Sequence, residues 1–177
     1  MIVPRNESYR SNRGNQRLLS VCLEDIPVEL KRRPQWVNYQ VVQKPDGRLD
    51  KVPYTPGTRR KASTTDLTTW RTFEEALAGL EQFDGVGFVF CSGDPYAGID
   101  IDDCVDPETG EIALWARQIV EGLDSYTELS PSGKGIHIIV EGKIPSPLKR
   151  GEVELYDCKR FFTITGHVVE ATRDRET

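Results

Sequence analysis

The sequence predicts an α+β domain built from roughly six to eight short strands, two amphipathic helices and mostly hairpin-length connections. Three observations carry this expectation. Apolar and polar residues alternate over short runs, as in Trp36-Val37-Asn38-Tyr39-Gln40-Val41-Val42. Helical spacing of apolar residues appears in two segments, one behind Thr72 and one from Ile112. No apolar stretch of membrane-spanning length occurs in the 177 residues.

Taken in order, residues 1–28 are rich in Asn, Arg and Ser and lack periodicity, so a flexible leader is expected there. The folded domain is expected over 29–177, with a small α/β unit at about 34–84 and a second unit at about 85–170. Trp36–Val42, the turn Pro45-Asp46-Gly47 and Lys51-Val52-Pro53-Tyr54 spell a hairpin. A loop with Arg59-Arg60-Lys61 and Ser63-Thr64-Thr65 follows. Thr72 to Glu75 forms a capping box, and Phe73, Ala76, Leu77, Leu80 and Phe83 recur at helical spacing up to Asp84-Gly85. Val86–Phe90 and Ala97–Asp102 read as strands of one hairpin, joined by a Ser-Gly-Asp-Pro turn. After the Pro107–Gly110 loop, Ile112, Trp115, Ala116, Ile119 and Leu123 mark the second helix. Four β segments close the chain: Ser125–Leu129, Ile136–Val140, Val153–Tyr156 and Phe161–Thr165.

The net charge is −5, unevenly spread. Residues 1–70 carry 13 Lys and Arg against 7 Asp and Glu, whereas residues 71–177 carry 10 against 21. A basic half beside an acidic half suits a polyanion on one side and metal ions on the other. The four cysteines are widely spaced without a Cys-x-x-Cys pair, which favours a reduced, cytoplasmic protein without a zinc knuckle. Trp36, Tyr39, Tyr54 and Trp70 have spacings that favour core or turn packing over base stacking.

Three stretches carry chemistry. In Gly98-Ile99-Asp100-Ile101-Asp102-Asp103, strand alternation puts Ile99 and Ile101 inward and Asp100 and Asp102 together on the other face. Two like charges that close are tolerable chiefly around a cation, and Mg²⁺ takes such oxygen ligands. In Ser130-Pro131-Ser132-Gly133-Lys134-Gly135-Ile136-His137, two glycines flank a lysine between strands, a turn able to point amides, a hydroxyl and an ammonium at phosphate. The Walker A spacing is absent. In Gly151-Glu152-Val153-Glu154-Leu155-Tyr156, Glu152 and Glu154 face away from the core, and Arg160 past the next turn can fork onto a phosphate.

In this order, Asp-x-Asp, Ser-Gly-Lys-Gly-x-His and Glu-x-Tyr…Arg-Phe-Phe-Thr-x-Thr-Gly resemble the three catalytic motifs of the archaeo-eukaryotic primase superfamily, in its phage and plasmid primase-polymerase branch. Lys51-Val52-Pro53-Tyr54, Ala62-Ser63-Thr64-Thr65-Asp66 with Trp70, and Gly85–Phe90 resemble the same branch. The resemblance spans about Pro34 to His167. It implies an RRM-like sheet with packed helices and template-directed nucleotidyl transfer with two Mg²⁺ or Mn²⁺ ions. It makes Asp100, Asp102 and Glu154 the metal ligands, with Asp157 a rival third acid. It makes Ser132, Gly133, Lys134, Gly135 and His137 the triphosphate holders, helped by Arg160. The implied partners are a single-stranded DNA template and primer and a dNTP or NTP. A helical primase domain or a replicative helicase is expected outside these residues. Lys51, Arg59, Arg60 and Lys61 are the expected template track. Two rival readings stay open: a non-catalytic nucleotide or single-stranded DNA binding module, and a metal-dependent nuclease.

Overall fold

The computed structural model describes residues 9–11 and 17–169. Eleven strands, three α-helices and one 3-10 helix (Leu67–Thr69) are formed among them, and every strand pairing is antiparallel. Strands β1 (Tyr9–Ser11) and β2 (Arg17–Leu19) pair with each other, and helix α1 (Val28–Lys31) follows. Strands β3 (Trp36–Gln43), β4 (Leu49–Tyr54), β5 (Gly85–Phe90) and β11 (Arg160–Ile164) form a four-stranded sheet in the order β11-β5-β3-β4. Strands β6 (Tyr96–Ile101), β7 (Tyr126–Leu129), β8 (Ile136–Glu141), β9 (Leu148–Arg150) and β10 (Val153–Tyr156) form a five-stranded sheet in the order β7-β8-β6-β10-β9. Helices α2 (Phe73–Ala78) and α3 (Leu114–Leu123) complete the fold. The α+β class expected from the sequence is therefore observed. Among the described residues no helix is long and apolar enough to cross a membrane.

Side-chain alternation builds two main cores. Ile99 and Ile101 of β6, Ile136 and Ile138 of β8 and Leu129 of β7 face Ala116 and Val120 of α3. Trp36, Phe88, Phe90, Tyr96, Ile139 and Phe162 form an aromatic core, closed by Phe73 of α2. Trp36 packs tilted on Phe73 at 4.7 Å and donates its indole N–H to Leu30 O at 3.1 Å. Trp36, Tyr39 and Trp70 are buried, as their spacing suggested.

Three expectations are corrected. First, part of the leader is packed rather than draped. Residues 1–8 and 12–16 lie outside the described residues, but Leu18 and Leu19 are buried. The Leu19 amide donates to Pro131 O and the Cys22 amide to Thr165 O. Second, β5 and β6 do not form a hairpin, because both edges of β5 are taken, by β3 and by β11. Buried Asp94 turns the chain from one sheet to the other, accepting from the Cys91 and Tyr96 amides and from Gln35 Nε2, all at 2.8 Å. β5 and β11 therefore share a sheet with β3 and β4. Third, α2 stops at Ala78 rather than near Phe83. The capping box starts it as expected, but buried Asn38 donates to Ala76 O at 2.8 Å and crowds Gly79, where any side chain would collide with it.

Candidate active site

Register does most of the positioning. Glu128 of β7 pairs with His137 of β8, His137 with Asp100 of β6, Asp100 with Glu154 of β10, and Glu154 with Lys149 of β9. Directly opposed residues in antiparallel strands share a face, so these five side chains form one polar row across the sheet. The opposite face, with Ile99, Ile101, Ile136 and Ile138, is apolar core. His137 Nε2 lies 3.6 Å from Asp100 Oδ1, and its Nδ1 lies 3.5 Å from Glu128 Oε1. The imidazole is 3 % exposed and stacks on Phe162 at 4.9 Å.

An open cleft of about 430 Å³ lies over this row. It brings together Lys51, Asp100, His137, Glu154 and Arg160, five of the residues singled out in the sequence. Thr64, Tyr156 and Lys159 add polar atoms to its wall. Arg160 lays its guanidinium over the Tyr156 ring at 4.8 Å. Asp102 does not line the cleft but interacts electrostatically with Asp100, Lys51 and Glu154. Partial burial of its carboxyl, then the Asp100 charge, hold Asp102 above the usual carboxylate range, with Lys51 pulling the other way. Lys51 is exposed as a residue, yet the cleft crowds its ammonium. Desolvation lowers its pKa, and Asp100 and Asp102 oppose that shift.

The Ser-Gly-Lys-Gly loop does not line the cleft either; it sits against the Asp102 end of β6. Gly133 adopts a left-handed φ of 70°. At Gly135 a Cβ would lie 2.6 Å from Ile101 O and 3.3 Å from Asp102 Cα, so only glycine lets the loop approach this closely. Ser130 Oγ accepts from the Gly135 amide at 3.2 Å, and Lys134 O accepts from the Val105 amide at 2.9 Å. Ser132 and Lys134 are exposed. Arg59, Arg60 and Lys61 are exposed on the loop after β4 and do not line the cleft, whereas Lys51 does.

Glu154 hydrogen-bonds with Lys149 and with the Tyr156 hydroxyl, and these contacts, in that order, hold its carboxyl below the usual range. Among the described residues no three His, Cys, Asp or Glu side chains are already gathered as a metal site. The donor set nonetheless fits a hard divalent cation in its chemistry. Asp100, Asp102 and Glu154 offer only oxygen, and their mutual repulsion is relieved in part by Lys51 and Lys149. Asp157 lies elsewhere, accepting from the Ile144 amide at 3.4 Å.

Two residues of the row, Lys149 and Glu128, escaped the sequence reading. Glu128 is fully buried, accepts from the Thr165 and Gly166 amides, and takes the Tyr126 hydroxyl at 2.7 Å. Burial, then the charge of Glu128, pushes the Tyr126 phenol well up, keeping it a donor. The available signal was a lone charge inside the short strand-like run Ser125–Leu129; if buried, such a charge requires partners.

No family model matches the chain. A curated DNA primase-polymerase from Nitratiruptor phage NrS-1 is 38 % identical over 154 residues, covering 82 % of this chain. The match bears out the resemblance carried by the three motifs: over the matched region the chain is of the phage primase-polymerase type. The chain spans only 21 % of that relative's length.

Proposed function

We propose that this chain is the nucleotidyl-transfer core of a DNA primase-polymerase, with its two sheets forming the archaeo-eukaryotic primase catalytic fold, acting in phage or plasmid replication in the host cytoplasm. The observation that supports it most is the register row in which Asp100 stands between His137 and Glu154 beneath one cleft with Lys51 and Arg160.

In this reading Asp100, Asp102 and Glu154 would hold two Mg²⁺ or Mn²⁺ ions, for which Glu154 would have to leave Lys149. Bound there, the ions would lower the pKa of the primer 3′-hydroxyl and neutralise charge on the transferring phosphate. The chain's own groups bind and orient. His137 presents Nε2 toward the Asp100 side of the cleft. The Ser132 hydroxyl and the Lys134 ammonium, on the exposed side of the turn, would meet the triphosphate of a dNTP or NTP, while the Gly133, Lys134 and Gly135 amides are bonded within the turn and shape it; Arg160 and Lys51 add positive charge at the cleft. Arg59, Arg60 and Lys61 meet the single-stranded template through its phosphates. A helical domain or helicase would act beside this core. None of these groups has to be a nucleophile, since positioning and charge stabilisation supply most of the rate.

Primer extension on a single-stranded template with Mg²⁺ or Mn²⁺, comparing wild type with Asp100→Ala/Asp102→Ala, tests the reading. Incorporation by the wild type and its loss in the double variant is the expected result. Nucleotide binding without incorporation would assign a non-catalytic module instead, and release of mononucleotides without added triphosphate would assign a nuclease.

A further inference from the structure

The buried acid next to His137 has no part in the chemistry above, and its surroundings are unusually fixed. Glu128 has no solvent exposure. Its Oε2 accepts from the Gly166 amide at 2.8 Å and the Tyr126 hydroxyl at 2.7 Å, and the Thr165 amide reaches both oxygens at 3.1 Å. Two of these donors belong to the backbone just after β11, so the carboxylate cannot rotate without breaking the packing of another strand. The remaining direction of Oε1 points at His137 Nδ1, 3.5 Å away. That nitrogen is buried and has no hydrogen-bond partner among the described residues. Phe162 covers the ring face at 4.9 Å with an interplanar angle of 28°. The imidazole is thereby held edge-on between two carboxylates, and only its Nε2 edge faces Asp100 and the cleft.

Resting on the nucleotidyl-transfer reading, we infer that Glu128 is a positioning residue: it takes the Nδ1–H of His137 and so fixes Nε2 toward the nucleotide side of the cleft. A carboxylate that captures one ring N–H decides which nitrogen meets the substrate, and it holds the ring's angle at the same time. At 3.5 Å the pair is a long contact, of the kind that tightens into a hydrogen bond when a ligand is bound.

Two measurements separate this inference from the reading beneath it. The chain has two histidines, so long-range ¹H–¹⁵N spectra of the imidazoles are simple to assign with His137→Gln and His167→Gln. His167 Nε2 meets Ser20 O at 2.6 Å, which supplies an Nε2–H reference. The expected result is a proton on His137 Nδ1 in the wild type and its displacement in Glu128→Gln. A bare Nδ1 in the wild type, or a His137 spectrum unchanged by Glu128→Gln, overturns the inference. The wild-type spectrum decides the matter even where the variant fails to fold, and none of it requires polymerase activity.

The second measurement is steady-state primer extension. Glu128→Gln is expected to raise the nucleotide KM by about 10–100-fold, the usual cost of losing such a supporting contact. In a His137→Gln background the same change is expected to cost nothing further. An equal additional loss in that background would show a merely structural role and overturn the inference. A wild type that extends no primer while His137 carries its proton on Nδ1 would sink the polymerase reading and leave the pairing of Glu128 with His137 standing.

Discussion

Glu154 stands directly opposite Asp100 in the antiparallel pairing of β10 with β6. Opposed residues in such a pair have Cβ atoms about 4.5–5.5 Å apart, so two carboxylates distant in the chain share one small volume above the sheet. If they hold the ions of a nucleotidyl transferase, either one alone is indispensable. Asp100→Ala and Glu154→Ala should each lower single-nucleotide incorporation by about 10²–10³-fold. Both sit on the polar face rather than in the apolar core, so thermal melts should show a folded protein.

Lys149 competes with any metal for Glu154. The lysine is 71 % exposed, and exposed ion pairs contribute little, about 0–1 kcal/mol. Lys149→Ala should therefore tighten Mn²⁺ binding by no more than about fivefold, read by isothermal calorimetry. The pH dependence has a definite sign. Glu154 is held below its ordinary value of 4.5, so its contribution is present above that pH and is lost as pH falls through the lowered value. Glu154→Gln should flatten that acid limb slightly, because solvent screens the group.

Asp102 behaves oppositely. Burial first, and then Asp100, raise its carboxyl above 3.8, so the folded state prefers the protonated acid and loses stability once it ionises. Asp102→Asn should abolish incorporation yet raise Tm at pH 7 only slightly, because Asp102 is exposed as a residue and solvent screens the effect, with the gain gone below the ordinary aspartate range. Millimolar Mn²⁺ should raise the wild-type Tm and leave that of Asp102→Asn nearly unmoved.

Lys51 and the Arg59–Lys61 loop were grouped by charge in the sequence, and in the structure only Lys51 lines the cleft. Arg59→Ala/Arg60→Ala/Lys61→Ala should weaken single-stranded DNA binding and shrink the slope of log K against log salt by about 2. Lys51→Ala should raise the nucleotide KM and leave that slope almost intact. Fluorescence anisotropy across a salt series distinguishes the two.

Much of this site was legible in the chain because it rests on local patterns. The alternation around Asp100 and Glu154, the Gly-Lys-Gly turn and the Thr72 capping box are each written within a few residues. What was not legible depends on long-range pairing. Nothing near Val86 announces that β11 and β3 occupy both edges of β5, which separates β6 from the strand before it. Leu19 gave no periodic signal in so short a strand, yet it is buried beside β8. Glu128 looked like an ordinary polar position, because its partners Thr165 and Gly166 arrive from the far end of the chain.

The most direct test is anomalous diffraction from crystals grown with Mn²⁺ and a nucleoside triphosphate. The account predicts manganese held by Asp100 and Asp102, Glu154 turned from Lys149 to the metal, and the triphosphate against the Ser132–His137 segment. Manganese bound away from these acids, or a nucleotide seated in the cleft with Glu154 still on Lys149, would contradict it.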